Sequence, residues 1–338
     1  MKILNLMLSR DRGGLEQSFL DYNQAFRLEK FEVINVTSIG AQINSFISSE
    51  RKLLNLNLWD MLSVFHLRQI IKNEQPNAII AHGGRAIEFA KLAKTSDIPL
   101  IGVAHGHSIK RLIKCDYIIS LTRYMRNFLI QNGYPESRIA LIPNMINIEN
   151  NFVPRKKYNK PIMIGTMARL VPKKGIDVFL TSLAKLKEQN YNFKAIIGGD
   201  GEEANKLHAL SKDLGLENHV SFIGWVKDKK VFYDSIDIFC VPSLNEPFGI
   251  IVLEAMKFAV PMVCTKTQGP AEIIRDQQDG LLCEIGSSDD LAEKIAYLIN
   301  NQESSQDYAK SGYLRLQENY EISTVAKKLA EFIRTLAG

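Results

Sequence analysis

Short apolar or β-branched runs alternate along the chain with longer stretches whose apolar residues recur at helical spacing. Met1–Leu8, Phe31–Thr37, Ala78–His82, Pro99–Ala104, Tyr117–Leu121 and Ile139–Ile142 read as strands. Helical segments separate most of them, the first running from the turn at Asp11–Gly14 to about Leu28. Strands that read as continuous apolar runs, each followed by a helix, predict a parallel sheet wrapped by helices. The rhythm breaks at Asn144–Lys160, which is rich in asparagine, carries Pro154 and the basic run Arg155–Lys157, and reads as a linker. A second series follows at Ile162–Met167, Phe193–Gly198, Val220–Ile223, Ile238–Val241 and Met262–Cys264. The fold class expected is therefore α/β, with two doubly wound domains at 1–155 and 156–319. Ligands are expected at the carboxyl ends of their strands. From Tyr320 to Gly338 a last helix puts Val325, Leu329, Phe332 and Ile333 on one face. That face packs on the second domain or returns to the first.

Composition narrows the class. The chain has 338 residues, 46% hydrophobic and 23% charged, which fits two globular domains and excludes wholesale disorder. No apolar run approaches the roughly 18–20 residues of a membrane-spanning helix. Ile3–Leu8 is too short for a signal peptide and is closed by Arg10 and Arg12. Cys115, Cys240, Cys264 and Cys283 lie far apart without metal-ligand spacing, so free thiols in a reducing cytosol are expected. The net charge of +5 is uneven: residues 1–157 hold 21 basic and 13 acidic side chains, a surplus of 8. This surplus is either a solvated surface or a face that meets something anionic.

Chemistry concentrates at strand ends. After Ile238–Val241 comes NEPFGIIVLEAM (Asn245–Met256), a loop entering a helix. The first amides of such a helix point outward and attract phosphate, and Gly249 allows close approach. Glu246 before the helix and Glu254 inside it suit hydroxyls on either side of a diphosphate, or they are a helix-start glutamate and a surface glutamate. RLVPKKG (Arg169–Gly175) puts Arg169, Lys173 and Lys174 at another strand end. These are fixed cations for a departing diphosphate, or a solvated basic loop. Gly13 and Gly14 follow the first strand, and GGDG (Gly198–Gly201) follows a later one, each a phosphate approach or a plain turn. In AHGH, His105 comes first after its strand, ahead of His107; it could hydrogen-bond a sugar hydroxyl or a phosphate, or be structural. His82, in AHGG, has the same placement with less behind it. The chain contains neither G-x-G-x-x-G nor D-x-D, so neither a dinucleotide fingerprint nor that metal motif is written in it.

In this order, Gly13-Gly14 with Glu16, His105-Gly106, Ile142–Asn144, RLVPKKG, Gly199–Gly201, FIGWV (Phe222–Val226) and EPFGIIVLE (Glu246–Glu254) make the chain resemble the retaining glycosyltransferases of family 4. The resemblance spans nearly the whole length. It implies the GT-B fold, two Rossmann-like domains facing a central cleft, with the tail helix 320–338 crossing back onto the first. It also implies a nucleotide-sugar donor as substrate, with no cofactor and no metal. Carried over by position, Glu254 holds the ribose, and Phe248, Gly249, Ile250 and Ile251 line the sugar and diphosphate. Glu246 contacts the sugar, while Arg169 and Lys174 stabilise the leaving group. His105 lies near the transferred sugar, Gly13, Gly14 and Gly199 near the donor, and Trp225 and Val226 beside the base. Ala168, Met145 and Asn147 depart from the family's usual glycine, glycine and aspartate without removing a catalytic group.

The reading is a hexosyl- or heptosyltransferase that acts in the cytosol with retention of configuration. Its acceptor is a glycan or glycolipid, such as a lipopolysaccharide-core intermediate. Peripheral contact with an anionic membrane is expected through Lys110, Arg111, Lys114 and the mixed segment Ser49–Lys72, unless that segment is a helix packed on the core. A nucleotide-sugar epimerase and a non-catalytic binding scaffold are the alternatives. No nucleic-acid partner is expected, because the basic residues form no aromatic-interleaved stripe.

Overall fold

The computed structural model describes residues 1–10, 13–47, 50–56, 60–95, 97–106, 109–148 and 161–336. The chain forms two compact units, Met1–Asn147 with Asn319–Gly338, and Ile148–Glu318. In chain order the first contains β1 (Lys2–Met7), α1 (Gly14–Leu28), β2 (Glu32–Ser38), β3 (Glu50–Leu53), α2 (Met61–Glu74), β4 (Ala78–His82), α3 (Gly84–Ala93), β5 (Leu100–Ala104), α4 (Ile109–Leu112), β6 (Tyr117–Ser120), α5 (Arg123–Gln131) and β7 (Ile139–Leu141). The second unit runs β8 (Ile162–Met167), α6 (Ile176–Glu188), β9 (Phe193–Gly198), α7 (Ala204–Asp213), β10 (Val220–Gly224), α8 (Lys229–Asp234), β11 (Ile238–Val241), α9 (Ile250–Lys257), β12 (Met262–Thr265), α10 (Gln268–Ile273), β13 (Leu281–Cys283), α11 (Ser288–Asn300) and α12 (Gln302–Asn319). Then α13 (Ile322–Thr335) closes the chain.

Both sheets are parallel, ordered β3-β2-β1-β4-β5-β6-β7 and β10-β9-β8-β11-β12-β13. In each, the first strand of the unit lies in the middle and the chain winds outward in both directions from it. The order therefore reverses between β1 and β4 in one unit and between β8 and β11 in the other. Loops leaving the carboxyl ends of such neighbours diverge and leave a crevice, the usual ligand position in this topology. Central strands are buried on both faces, which is why β4 is buried at every residue and β11 likewise.

Two elements differ from expectation. Ser49–Lys72 is not one helix: among its described residues it holds the edge strand β3 and most of α2, whose start Asp60 caps by accepting from the Ser63 amide at 3.1 Å. β13 is a further strand, only three residues long. The tail helix α13 buries Val325, Leu329 and Ile333 and packs beside α1 within the first unit. Its entry is fixed by the Ile146 amide donating to the Tyr320 carbonyl at 2.9 Å and that of Ile322 to the Ile146 carbonyl at 3.0 Å. The Arg155–Lys157 run and the boundary near 155 lie outside the described residues.

Candidate active site

At the reversal point of the second unit, five strand-end loops are stitched together by main-chain hydrogen bonds. The Ala168 amide donates to the Gly198 carbonyl at 3.0 Å and that of Leu170 to Asp200 at 2.9 Å. Gly199 donates to Gly224 at 2.7 Å, Leu244 to Lys173 at 2.8 Å and Gly269 to Glu246 at 2.9 Å. The approach is so close that side chains are excluded. A Cβ on Gly199, whose φ is +122°, would lie 1.8 Å from the Ala168 oxygen; one on Gly269 would lie 1.9 Å from the Phe248 oxygen. Gly175, at φ +62°, meets the Pro242 oxygen in the same way at 2.1 Å.

This scaffold brings together residues far apart in sequence. The Lys174 ammonium donates to the buried Glu246 carboxylate at 2.5 Å. Arg169 and Lys173 are exposed on the same loop. Beyond Glu246, Gly249 at φ +90° turns the chain into α9 with no side chain capping its start. The first-turn amides of α9, at Ile250 and Ile251, therefore sit at the positive end of a helix of eight residues. Phe248, in the turn before α9, is buried. Two turns' worth of chain from Glu246, the buried Glu254 accepts from the Lys229 ammonium at 2.5 Å and from the Tyr233 hydroxyl at 3.4 Å. Burial first, then the Glu254 charge, pushes the Tyr233 hydroxyl well above its ordinary range, so it stays a proton donor. Gly199 follows β9; Trp225, 54% exposed, and Val226 follow β10. One carboxylate precedes the helix start and the other lies about one turn inside it, each with a lysine beside it: the arrangement can hold hydroxyls on both sides of an anionic group.

In the first unit, His82 ends β4 and His105 follows β5. Their rings meet through His82 Nδ1 and His105 Nε2 at 3.1 Å. The edges of Phe19 and Tyr22 enclose His82, with ring centroids 5.6 and 4.8 Å away. Burial holds His105 down at about 4 and His82 well below its ordinary value, where the His105 charge adds to the effect. Both are neutral imidazoles at neutral pH. Gly13 and Gly14 lie at the start of α1, and Glu16 in its first turn is buried. His107 lies outside the described residues.

Lys229 and Tyr233, the partners of Glu254, and Asn5, whose Oδ1 lies 3.1 Å from His82 Nε2, carry no motif and are missed by sequence reasoning, and His82 is undervalued. Asn5 had a signal, a polar residue inside an otherwise apolar strand. Lys229 had none, being one lysine in a solvated KDKK run. Among the described residues no group of three or more histidines, cysteines or carboxylates could hold a metal ion, and no helix is long and apolar enough to cross a membrane.

The family model described as glycosyl transferases group 1 matches residues 147–315, and that described as glycosyltransferase family 4 matches residues 12–150. The chain belongs to the glycosyl transferases group 1 family. This glycosyltransferase is 25% identical to the lipopolysaccharide core biosynthesis glycosyltransferase LpsE of Rhizobium meliloti, over 93% of each chain. It is 32% identical to an uncharacterized glycosyltransferase of Methanocaldococcus jannaschii over 72% of each. Among solved structures, Anabaena HepE in complex with UDP and glucose superposes with a TM-score of 0.84 at 21% identity, covering 99% of this chain and all, 100%, of that one. The fold of this glycosyltransferase is thus that of a two-domain GT-B enzyme.

Proposed function

We propose that this glycosyltransferase moves a sugar from a nucleotide-sugar donor to a cell-envelope acceptor, with retention of anomeric configuration and without a metal. The observation that carries the reading is the second unit's reversal point. Lys174–Glu246 and Lys229–Glu254 bracket the uncapped start of α9, with Arg169 exposed on the adjoining loop. Glu254 binds the ribose hydroxyls and the α9 amides take the diphosphate. Glu246 orients the sugar, and Arg169 and Lys174 neutralise the charge that grows on the leaving phosphate. The bond from C1 to the β-phosphate oxygen breaks, and C1 bonds to the acceptor oxygen on the same face. The acceptor's hydroxyl proton passes to the departing diphosphate. The D-x-D motif is missing from the sequence, and the fixed cations fill the role a divalent ion takes elsewhere.

Relatives that build lipopolysaccharide core favour an anionic glycolipid acceptor at the cytoplasmic face of a membrane. Leu56, Met61, Leu62 and Phe65 support that reading, since they are exposed at and just before α2, and Arg68 and Lys72 are exposed further along the same helix. Lys110 and Lys114 add exposed charge at and after α4.

Scanning fluorimetry against UDP-, GDP- and ADP-sugars with EDTA present tests the donor site. A ligand at 100 times its Kd adds about 2.7 kcal/mol of stability. One nucleotide-sugar class raising Tm, with the shift lost in Glu254→Ala, is the expected result. Hydrolysis or epimerisation without acceptor, or no response to any donor, would defeat the transfer reading. An inverted linkage in the product would defeat retention.

A further inference from the structure

The first unit contains a continuous chain of side-chain hydrogen bonds that ends on His105. It starts at Arg27 in α1, whose Nε donates to Asn23 Oδ1 at 3.1 Å. Asn35 Nδ2 donates to the same oxygen at 2.8 Å. Asn5 Nδ2 then donates to Asn35 Oδ1 and to the Phe19 carbonyl, each at 3.2 Å. Asn5 Oδ1 lies 3.1 Å from His82 Nε2, and His82 Nδ1 lies 3.1 Å from His105 Nε2. Asn5 and Asn35 are fully buried, and His82 is 1% exposed, so these groups have no water to turn to.

The direction of every link follows from its two ends. A guanidinium only donates and a main-chain carbonyl only accepts. Arg27 therefore fixes which atom of Asn23 is the oxygen. Asn35 must then present its amide to Asn23 and its own oxygen to Asn5. The Phe19 carbonyl independently demands the Asn5 amide, which leaves Asn5 Oδ1 facing His82. His82 must answer with a proton on Nε2. A neutral imidazole has only one such proton, so its Nδ1 is an acceptor. That acceptor takes the proton of His105 Nε2.

We propose that Asn5 and His82 are positioning residues that hold His105 in the tautomer with its proton on Nε2, so that Nδ1 meets a ligand only as a hydrogen-bond acceptor. The consequence for recognition rests on the reading that puts His105 against the transferred sugar. A neutral acceptor selects a hydroxyl, which can donate, and rejects a phosphate oxygen, which cannot. His105 is then a sugar reader, and charge neutralisation is left to the cations of the second unit. The wire also explains why an asparagine stands in the middle of β1: an apolar residue there would free His82 to invert.

Long-range proton–nitrogen correlation spectra of histidine-labelled protein at neutral pH read the tautomers directly, with His105→Gln and His82→Gln assigning the signals. A bare Nδ1 and a protonated Nε2 on His105 are expected, with mixed tautomers in His82→Leu. A protonated Nδ1, or a His105 signal indifferent to His82→Leu, would overturn the proposal. Should the leucine variant not fold, the wild-type spectrum still decides. In the transfer assay, glutamine at 82 can both donate to Asn5 and accept from His105. We expect His82→Leu to lower kcat/KM by about tenfold and His82→Gln by less than about threefold. Equal losses in both would mark a merely structural histidine and overturn the positioning role. If the wild type transfers no sugar at all, the functional reading fails, while the spectra still decide the wire.

Discussion

The two units share the order of their first six strands and the same point of reversal, the first adding a seventh strand at its edge, yet they furnish that point oppositely. Between β8 and β11 the crevice is polar and ionic, with Glu246 held by Lys174 on glycine-locked loops and Glu254 of α9 held by Lys229 of α8. Between β1 and β4, beside the buried Glu16 of α1, stand two neutral imidazoles set against aromatic rings, their protons assigned by a buried amide chain. Topology supplies the crevice; the residues at the strand ends decide whether it takes an anion or reads a hydroxyl. The second unit's crevice thus suits a diphosphate, and the first unit's a hydroxyl.

The largest test of that contrast concerns the glycines. Gly199→Ala would put a Cβ 1.8 Å from the Ala168 oxygen at a φ of +122°, so the loops beside Arg169 must separate. A loss of about 3 kcal/mol or more by urea unfolding, together with loss of donor binding, is expected. Gly106→Ala beside His105 meets nothing within 4 Å and is expected to cost under about 0.5 kcal/mol. If the two variants unfold alike, the second unit's loops are not glycine-locked. Next comes Lys174→Ala, which leaves the Glu246 carboxylate without its ion pair. We expect kcat to fall about a hundredfold or more, with donor binding changed far less.

The third test is acid. Because burial lowers both histidines, the unfolded chain takes up their protons first. Their contribution to stability is intact above pH 6.5 and is lost as pH falls towards about 4, the value of His105. For His105 alone the loss is on the order of 3 kcal/mol across that window. Subtracting the curve of His105→Gln, measured by denaturant titration at each pH, isolates it from the carboxylates. A difference curve flat between pH 6.5 and 4 would show that the first unit's crevice is not the neutral one.

Much of this was legible in the chain, for identifiable reasons. Ala78–His82 and Ile238–Val241 declare themselves because strands covered on both faces read as unbroken apolar runs. β3, with the sequence ERKL, did not, because an edge strand needs no such run and charge there blunts unwanted pairing. The Glu246 and Lys174 positions were visible as motifs, but their pairing spans 72 residues and is made by the fold. Lys229 was invisible, since a lysine among lysines becomes a partner only when α8 is set beside α9. The polarity of the His82–His105 pair was equally hidden: it depends on Arg27 and Phe19, neither of which looks chemical in isolation.

The smallest expected effect separates the partners of Glu254 and His105, the two groups the proposal sets against the ligand. Glu254 is held by Lys229, whose side chain is 45% exposed, whereas His105 is held by His82, which is buried against Phe19 and Tyr22. The ammonium is largely in water, but the buried Glu254 it leaves keeps the Tyr233 hydroxyl in place of an ion pair, so Lys229→Ala is expected to lower unfolding free energy by about 1–2 kcal/mol. Salt screens that pair and leaves the imidazole contact untouched. Raising ionic strength should therefore bring wild type and Lys229→Ala together in stability, while the gap between wild type and His82→Leu stays constant. A Lys229 gap that persists in high salt would place that lysine inside the enclosed machinery, and the contrast between an ionic, solvent-tuned crevice and a buried, preset one would fail at its finest point.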